Sequence, residues 1–134
     1  MPTRDIAKVV AAMDVRLVRM PPERNAQRLF LETYRRTTLA VGKAIEDAQF
    51  EDPEWVERWD VAFADRYLAA LDLDLAGSPD VPRPWRLAFS APASLPALRH
   101  VLLGINAHIN YDLPQALLAV ISDAEFADPV VVAR

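Results

Sequence analysis

The stretch between residues 98 and 117 limits most strongly what this chain can fold into. Its apolar residues recur at helical period, and one stripe contains Leu98, Val101, Leu102, Ile105, Ile109 and Leu113. Leu103 and Ala107 lie on the opposite side, so the predicted helix is apolar over most of its surface, as in the centre of a bundle. We therefore predict an all-α, single-domain bundle of five or six helices around a central helix at about 95–112, the most buried of them.

Four polar side chains interrupt this helix. His108 and Asp112 are one turn apart at the edge of the apolar stripe, and Asn106 and Asn110 are one turn apart on the other flank. A polar group on a buried helix needs a partner, because an unpaired one costs ~1–3 kcal/mol. The pattern predicts that these side chains are hydrogen-bonded within a buried cluster.

Two further helices contribute polar groups to the predicted core. A short first helix covers about 6–18, and a second over 23–49 is predicted to be the longest, with the hydroxyls of Tyr34 and Thr37 on its buried stripe. The third begins with Asp52 as N-cap and Pro53 at the first helical position, and runs to about residue 71. Its apolar face carries Asp60 and Tyr67. Asp60 is expected to bond a tyrosine hydroxyl, a tryptophan N–H or an arginine.

The second half of the chain is interrupted by prolines. Residues 72–84 are predicted to form a loop, a short helix follows around Trp85, and Ser94 is placed to cap the central helix. Pro114 disfavours a regular helix, so the central helix either kinks or restarts near Asp112. A restart would use Asp112 as N-cap and Gln115 at the third helical position, a capping-box spacing.

Composition narrows the class of protein. A chain of 134 residues suits one domain over 1–134, and the net charge of −4 argues against nucleic acid or an anionic membrane as the main partner. The absence of cysteine excludes disulfides, thiolate nucleophiles and zinc–thiolate clusters. No signal-peptide core and no membrane-length apolar run is present, so a cytoplasmic location is expected.

The end of the chain repeats an earlier pattern. Residues 126–134 and 50–58 both read F-x-D-P-x-x-V-x-R. The first copy opens a long helix, so the second predicts a helix that begins at Pro129 and is cut short at Arg134. The surface that such a helix covers would then be apolar and exposed, and we expect the chain to dimerise or aggregate through it.

The residues from Gly104 to Pro114 resemble the signature of a bacterial helical family without an assigned activity. Weaker matches cover 29–34, 59–64 and 85–89, so the resemblance extends over most of the chain. The Asn-Ala-His-Ile-Asn core at 106–110 is its specific part. The resemblance implies a helical fold and a further helical stretch beyond Arg134, and it brings no substrate or cofactor.

Three functions remain open from the residues alone. His108 and Asp112 could be metal ligands or an acid–base pair of a hydrolase-like enzyme, since histidine and aspartate one turn apart can present nitrogen and oxygen to one divalent ion. The polar cluster could instead be a structural network in a binding or assembly module. A small-ligand pocket is the third reading. The residues of that network or pocket are Asn106, Asn110, Asp60, Tyr34, Thr37 and Tyr67, and a homo-oligomer or a small molecule is the expected partner.

Overall fold

The computed structural model describes residues 4–92 and 94–121, and every regular element in them is helical. The elements in chain order are α1 (Arg4–Arg19), α2 (Asn25–Glu46), α3 (Pro53–Leu75), α4 (Arg83–Phe89), α5 (Ala97–Ala107), a π-helical turn (His108–Asp112) and α6 (Leu113–Val120). The predicted all-α class is confirmed. In this part of the chain, no helix has the length and apolar character needed to cross a membrane.

α3, and not α2, is the longest helix, with 23 residues against 22. It begins as predicted, because Asp52 accepts a hydrogen bond from the Trp55 N–H at 3.1 Å and Pro53 occupies the first turn. It continues beyond the predicted end because ion pairs hold its last turn. Asp72 accepts two hydrogen bonds of 2.7 Å from Arg16 of α1. Asp74 accepts one from Arg24, at the end of the α1–α2 connection, and one from Gln27 of α2.

The prediction that residues 95–112 form the most buried helix is wrong. On α5 the side chains of Leu98 and Leu102 are 67% and 52% exposed. The buried positions of this helix are His100, Gly104 and Ala107. The small residues face inward because α5 packs closely against α2, where Phe30 occupies the space beside Gly104. Helical periodicity shows which residues share a face of a helix, but it does not show which face is buried. On α5 the more apolar face lies on the outside.

The predicted start of this helix is also corrected. Pro96 precedes its first residue, Ala97, and no side chain in the described part of the chain caps it, so Ser94 does not act as N-cap. The helix that we predicted to begin at Pro129 lies outside the described residues.

The core lies between α1, α2, α3 and α4. Its largest fully buried side chains come from all four helices and are Met13, Leu31, Thr38, Tyr67, Leu71 and Trp85, joined by Asp112 from the π turn. α1 packs against α2 and α3, α5 against α2 and α4, and α6 against α3. This arrangement places the π turn beside α3, at the edge of the aromatic core.

Replacing Gly104 by alanine should destabilise the protein by about 1–3 kcal/mol, the usual cost of overpacking a core. The added Cβ would lie 2.7 Å from Cγ and Cε2 of Phe30. That ring cannot retreat, because it is 5% exposed and contacts the rings of Tyr34, Tyr67 and Trp85. The higher helix propensity of alanine, worth ~1 kcal/mol, does not offset the clash.

Urea unfolding of the wild type and of Gly104→Ala measures this difference. Adding Phe30→Leu to the Gly104→Ala chain should cost less than Phe30→Leu costs in the wild type, since the smaller side chain leaves room for the methyl group. A Gly104→Ala protein as stable as the wild type would contradict the close contact between α5 and α2.

Candidate functional site

The π turn decides where the polar residues of the predicted central helix point. The Leu113 N–H bonds to the carbonyl of His108, five residues back, and the backbone angles stay helical from Ala107 through Leu113. One extra residue is therefore accommodated within the turn. As a result, Asp112 and Ala116 lie on the same buried side as Gly104 and His108, which a regular helix would not achieve.

Pro114 is accommodated by the same turn. The helix does not restart at Asp112, whose backbone is helical and whose side chain makes no capping bond to the described residues. The capping-box prediction is therefore wrong. Gln115 donates its side-chain amide to the carbonyl of Tyr111 at 2.9 Å, a bond that satisfies a backbone acceptor near the proline, and accepts one from Arg66 at 3.1 Å. π turns occur often at functional sites, which directs attention to the residues that this one turns inward.

The carboxylate of Asp112 lies at the centre of a buried triad. Its Oδ2 is 2.7 Å from Nδ1 of His108 and accepts a 2.8 Å hydrogen bond from the indole Nε1 of Trp85. His108 is 4% exposed and Asp112 is 1% exposed. With the imidazole neutral, its Nδ1–H donates to Asp112 and its Nε2 carries a free lone pair. The predicted pairing of His108 with Asp112 is present in this geometry.

The imidazole is held in place by aromatic rings. His108 stacks on Phe63 with 3.6 Å between ring centroids and 5° between ring planes, and the Tyr34 ring lies 4.7 Å away at 66°. The rings of Tyr67 and Trp85 complete the enclosure at 5.9 and 5.8 Å. Burial lowers the pKa of His108, although the hydrogen bond and the charge of Asp112 oppose the shift. The neutral form with a basic Nε2 is therefore favoured at neutral pH.

Four of the buried polar atoms that have no hydrogen-bond partner among the described residues belong to side chains that the sequence assigned to the site. They are the hydroxyls of Tyr34 and Tyr67, Oδ2 of Asp60 and Nε2 of His108. The two tyrosine rings are 5.6 Å apart, and the charge of Asp60 is one of the causes that raise the pKa of Tyr34. The polar atoms thus come from α2, α3 and the π turn. Since buried polar atoms are nearly always bonded, such a group calls for an explanation.

Burial also governs the ionisation of this cluster. It raises the pKa of the Asp60 carboxyl to about 6. It raises the pKa of Tyr34 well above its ordinary value, with smaller contributions from the negative charges of Asp60 and Asp112, and it raises the pKa of Tyr67. Both hydroxyls therefore stay protonated and can donate, whereas Asp60 can change its charge within the physiological range.

Three of the sequence-predicted site residues do not belong to this cluster. Asn106 and Asn110 are exposed and bond each other at 2.6 Å. Thr37 is exposed as well, and its hydroxyl donates to the Thr33 carbonyl at 3.2 Å. The buried threonine of α2 is Thr38, which donates to the carbonyl of Tyr34 at 2.9 Å. The buried stripe of α2 thus contains Tyr34, as predicted, and Thr38 in place of Thr37.

The sequence interpretation assigned no role to Trp85 or Phe63. Trp85 comes from the short helix α4, 27 residues before Asp112, so no helical spacing connects the two. The only signal that the sequence offered was the residue type, since a tryptophan that is buried usually needs an acceptor for its indole N–H.

The geometry of His108 does not support a shared metal ion on His108 and Asp112. Nδ1 is already bonded to the carboxylate, so the two side chains do not present separate ligands to one ion. Among residues 4–92 and 94–121, no group of three or more histidine or acidic side chains is arranged to hold a metal ion.

A groove of about 330 Å³ that is open to solvent is lined in part by Asp112 of the triad. It runs between α3 and the π turn, and Asp112 lines it together with Arg66, Tyr111 and Gln115. Among the described residues, neither His108, Tyr34, Asp60 nor Tyr67 lines this groove.

The fold and the site define an all-α domain with a buried aspartate–histidine–tryptophan triad inside an aromatic enclosure. The chain belongs to the family of unknown function DUF5995, whose model matches residues 6–133. No curated protein and no solved structure matches it.

Proposed function

We propose that this domain binds a small polar molecule next to His108. The observation that carries the proposal is the group of four buried atoms, on Tyr34, Asp60, Tyr67 and His108, that no described residue bonds. Leaving each of them unbonded would cost ~1–3 kcal/mol, which a bound molecule would recover.

The atoms define what such a molecule needs. Nε2 of His108 accepts, so the ligand must donate to it, while the hydroxyls of Tyr34 and Tyr67 can donate to ligand oxygens. Asp60 accepts when charged and donates when protonated. The aromatic walls favour a compact, partly planar body. A molecule that carries both a hydroxyl or amide N–H and a carbonyl oxygen fits this set.

A structural network in a binding or assembly module is the second candidate. It is favoured by the Asp112 carboxylate, which is bonded to both His108 and Trp85 within the core. Satisfied networks of this type fix a unique packing and need no ligand. The two candidate functions give different roles to the unpartnered atoms. Removing a tyrosine hydroxyl therefore distinguishes between them.

Replacing Tyr67 by phenylalanine should stabilise the ligand-free protein by about 1 kcal/mol, because it removes a buried hydroxyl that has no partner among the described residues. Substitutions that stabilise a protein at its binding site commonly weaken its function. Tyr111→Phe is the matched control, since Tyr111 is 37% exposed and its change should leave the free energy of unfolding within ~0.5 kcal/mol.

Binding is measured on the same variants. Thermal melts of the wild type with short hydroxy acids, hydroxy amides and polyols should show at least one compound class that raises the melting temperature. The rise should vanish in Tyr67→Phe and persist in Tyr111→Phe. If Tyr67→Phe instead destabilises the protein and no compound shifts the wild type, the structural network is the correct reading.

A further inference from the structure

The carboxylate of Asp112 is a buried negative charge that no described basic side chain balances. Its Oδ2 accepts from the indole of Trp85 and from the imidazole of His108, and the lowered pKa of His108 favours a neutral imidazole. No lysine or arginine among the described residues forms an ion pair with Asp112. Because Asp112 is 1% exposed, its charge is costly unless an opposite charge lies near it.

The second oxygen of this carboxylate lies on the side of the groove between α3 and the π turn. Oδ2 is turned toward the two donors in the core, whereas Oδ1 accepts no hydrogen bond from the described residues. Asp112 is also part of the lining of the groove, whose volume of about 330 Å³ lies within the range of small-molecule sites. The groove therefore offers one charged acceptor to a molecule that enters from solvent.

The rest of the lining suits a short apolar chain and adds no net charge. Its apolar members are Ala69, Ala70, Leu73 and Pro82. The side chains of Asp65 and Arg66 carry opposite charges, and both are exposed, so solvent and salt screen them. The ring of Tyr111 also lines the groove, and the face of an aromatic ring attracts a cation. The buried carboxylate therefore dominates the electrostatics of the groove.

We propose that this groove binds a small primary amine, whose ammonium group donates to Oδ1 of Asp112 and whose carbon chain lies against the apolar lining. An ammonium group supplies both the missing positive charge and the donor. A hydrogen bond between two charged groups is also stronger than one between neutral groups. This site is independent of the proposed ligand site beside His108, because the unpartnered atoms of that site belong to residues outside the groove lining.

Nuclear magnetic resonance of the three tryptophan indoles tests the site, since the Trp85 N–H bonds to the same carboxylate. Titration with butylammonium should shift the Trp85 resonance to saturation and leave those of Trp55 and Trp59 unchanged. Trp85→Phe identifies the resonance by its loss. Butanol lacks the charge and butyltrimethylammonium lacks the N–H donors, so neither should produce a saturating shift. A Trp85 resonance that does not respond to butylammonium, or that responds equally to either control compound, overturns the proposal.

A variant that fills the groove shows where the amine binds without altering the triad. Ala69 is an exposed residue of the lining, so Ala69→Phe should abolish the response and keep a melting temperature close to that of the wild type. Ala11→Phe is the matched control at an exposed position of α1, and it should bind normally. Asp65→Asn should weaken binding by only about two- to fivefold, because its charge is exposed. Unchanged binding of butylammonium to Ala69→Phe overturns the proposal.

The same titration separates a free amine from a lysine side chain of another protein. Nα-acetyl-lysine methylamide carries the same ammonium group on a peptide backbone. It should bind no more tightly than butylammonium, because a groove of about 330 Å³ holds the side chain and leaves the backbone amides in solvent. Tighter binding of the blocked lysine would assign the groove to a protein partner and overturn the proposal of a small amine.

Discussion

Replacing Asp112 by alanine should lower the free energy of unfolding by about 3–5 kcal/mol, the largest effect of any single substitution in this site. The change leaves two fully buried donors without an acceptor, the Nδ1–H of His108 and the Nε1–H of Trp85. Each orphaned donor costs ~1–3 kcal/mol, and the space vacated by the carboxylate adds a smaller cavity term. Urea unfolding followed by tryptophan fluorescence measures the loss.

A double-mutant cycle separates the two bonds. Trp85→Phe removes one donor and keeps an aromatic ring in place, so Asp112→Ala should cost less in that background than in the wild type. Asn110→Ala is the control from the same turn, because Asn110 is exposed and bonds only Asn106 in the described structure. It should change stability by less than ~0.5 kcal/mol. Equal costs for the Asp112 and Asn110 changes would show that the triad is not buried as described.

Replacing Asp60 by asparagine should change how stability depends on pH, by up to about 3 kcal/mol. Burial raises the pKa of Asp60 from 3.8 to about 6 in the folded protein. Its contribution to stability is therefore fully present below about pH 4 and is lost as the pH rises through about 6, where the buried carboxyl must ionise. Asparagine does not ionise, so the variant should exceed the wild type in stability at about pH 8 and lose that advantage near pH 4.

Unfolding curves of the two proteins between about pH 4 and pH 8 measure this difference. His108 acts in the opposite direction, since its lowered pKa makes the folded state lose stability as the pH falls below the ordinary histidine value of about 6.5. That term is common to both proteins and cancels in the difference. Asp80→Asn is the control for the loss of one carboxyl from an exposed position. A constant difference for Asp60→Asn would mean that its carboxyl is hydrated in the folded protein.

A bound ligand would alter this pH dependence. If the ligand donates to Asp60, the carboxylate form is stabilised and the transition near pH 6 should shift downward when the ligand is present. The same titration therefore reports on the proposed binding site, with Tyr67→Phe as the variant that should not respond.

The sequence determined the helical class and several local features. Periodicity identified the helices, and Asp52-Pro53 marked the start of α3, because caps and prolines act within a few residues of the chain. His108 and Asp112 were also found from sequence, since two polar residues one turn apart on an apolar helix must satisfy each other or a neighbour. The same reasoning placed Tyr34, Asp60 and Tyr67 on the buried faces of α2 and α3, and all three are buried.

The tertiary structure decided which face of each helix is buried. The sequence assigned the apolar stripe of α5 to the core, but close packing against Phe30 selects the face with Gly104 and leaves Leu98 and Leu102 outside. The π turn rotates Asp112 inward, and local sequence rules assign the same residue to a cap. Trp85 reaches Asp112 only because α4 packs across α5. Helical periodicity fixes which residues share a face, whereas the choice of the inner face depends on how closely neighbouring helices can approach, and that is a property of pairs of helices distant in sequence.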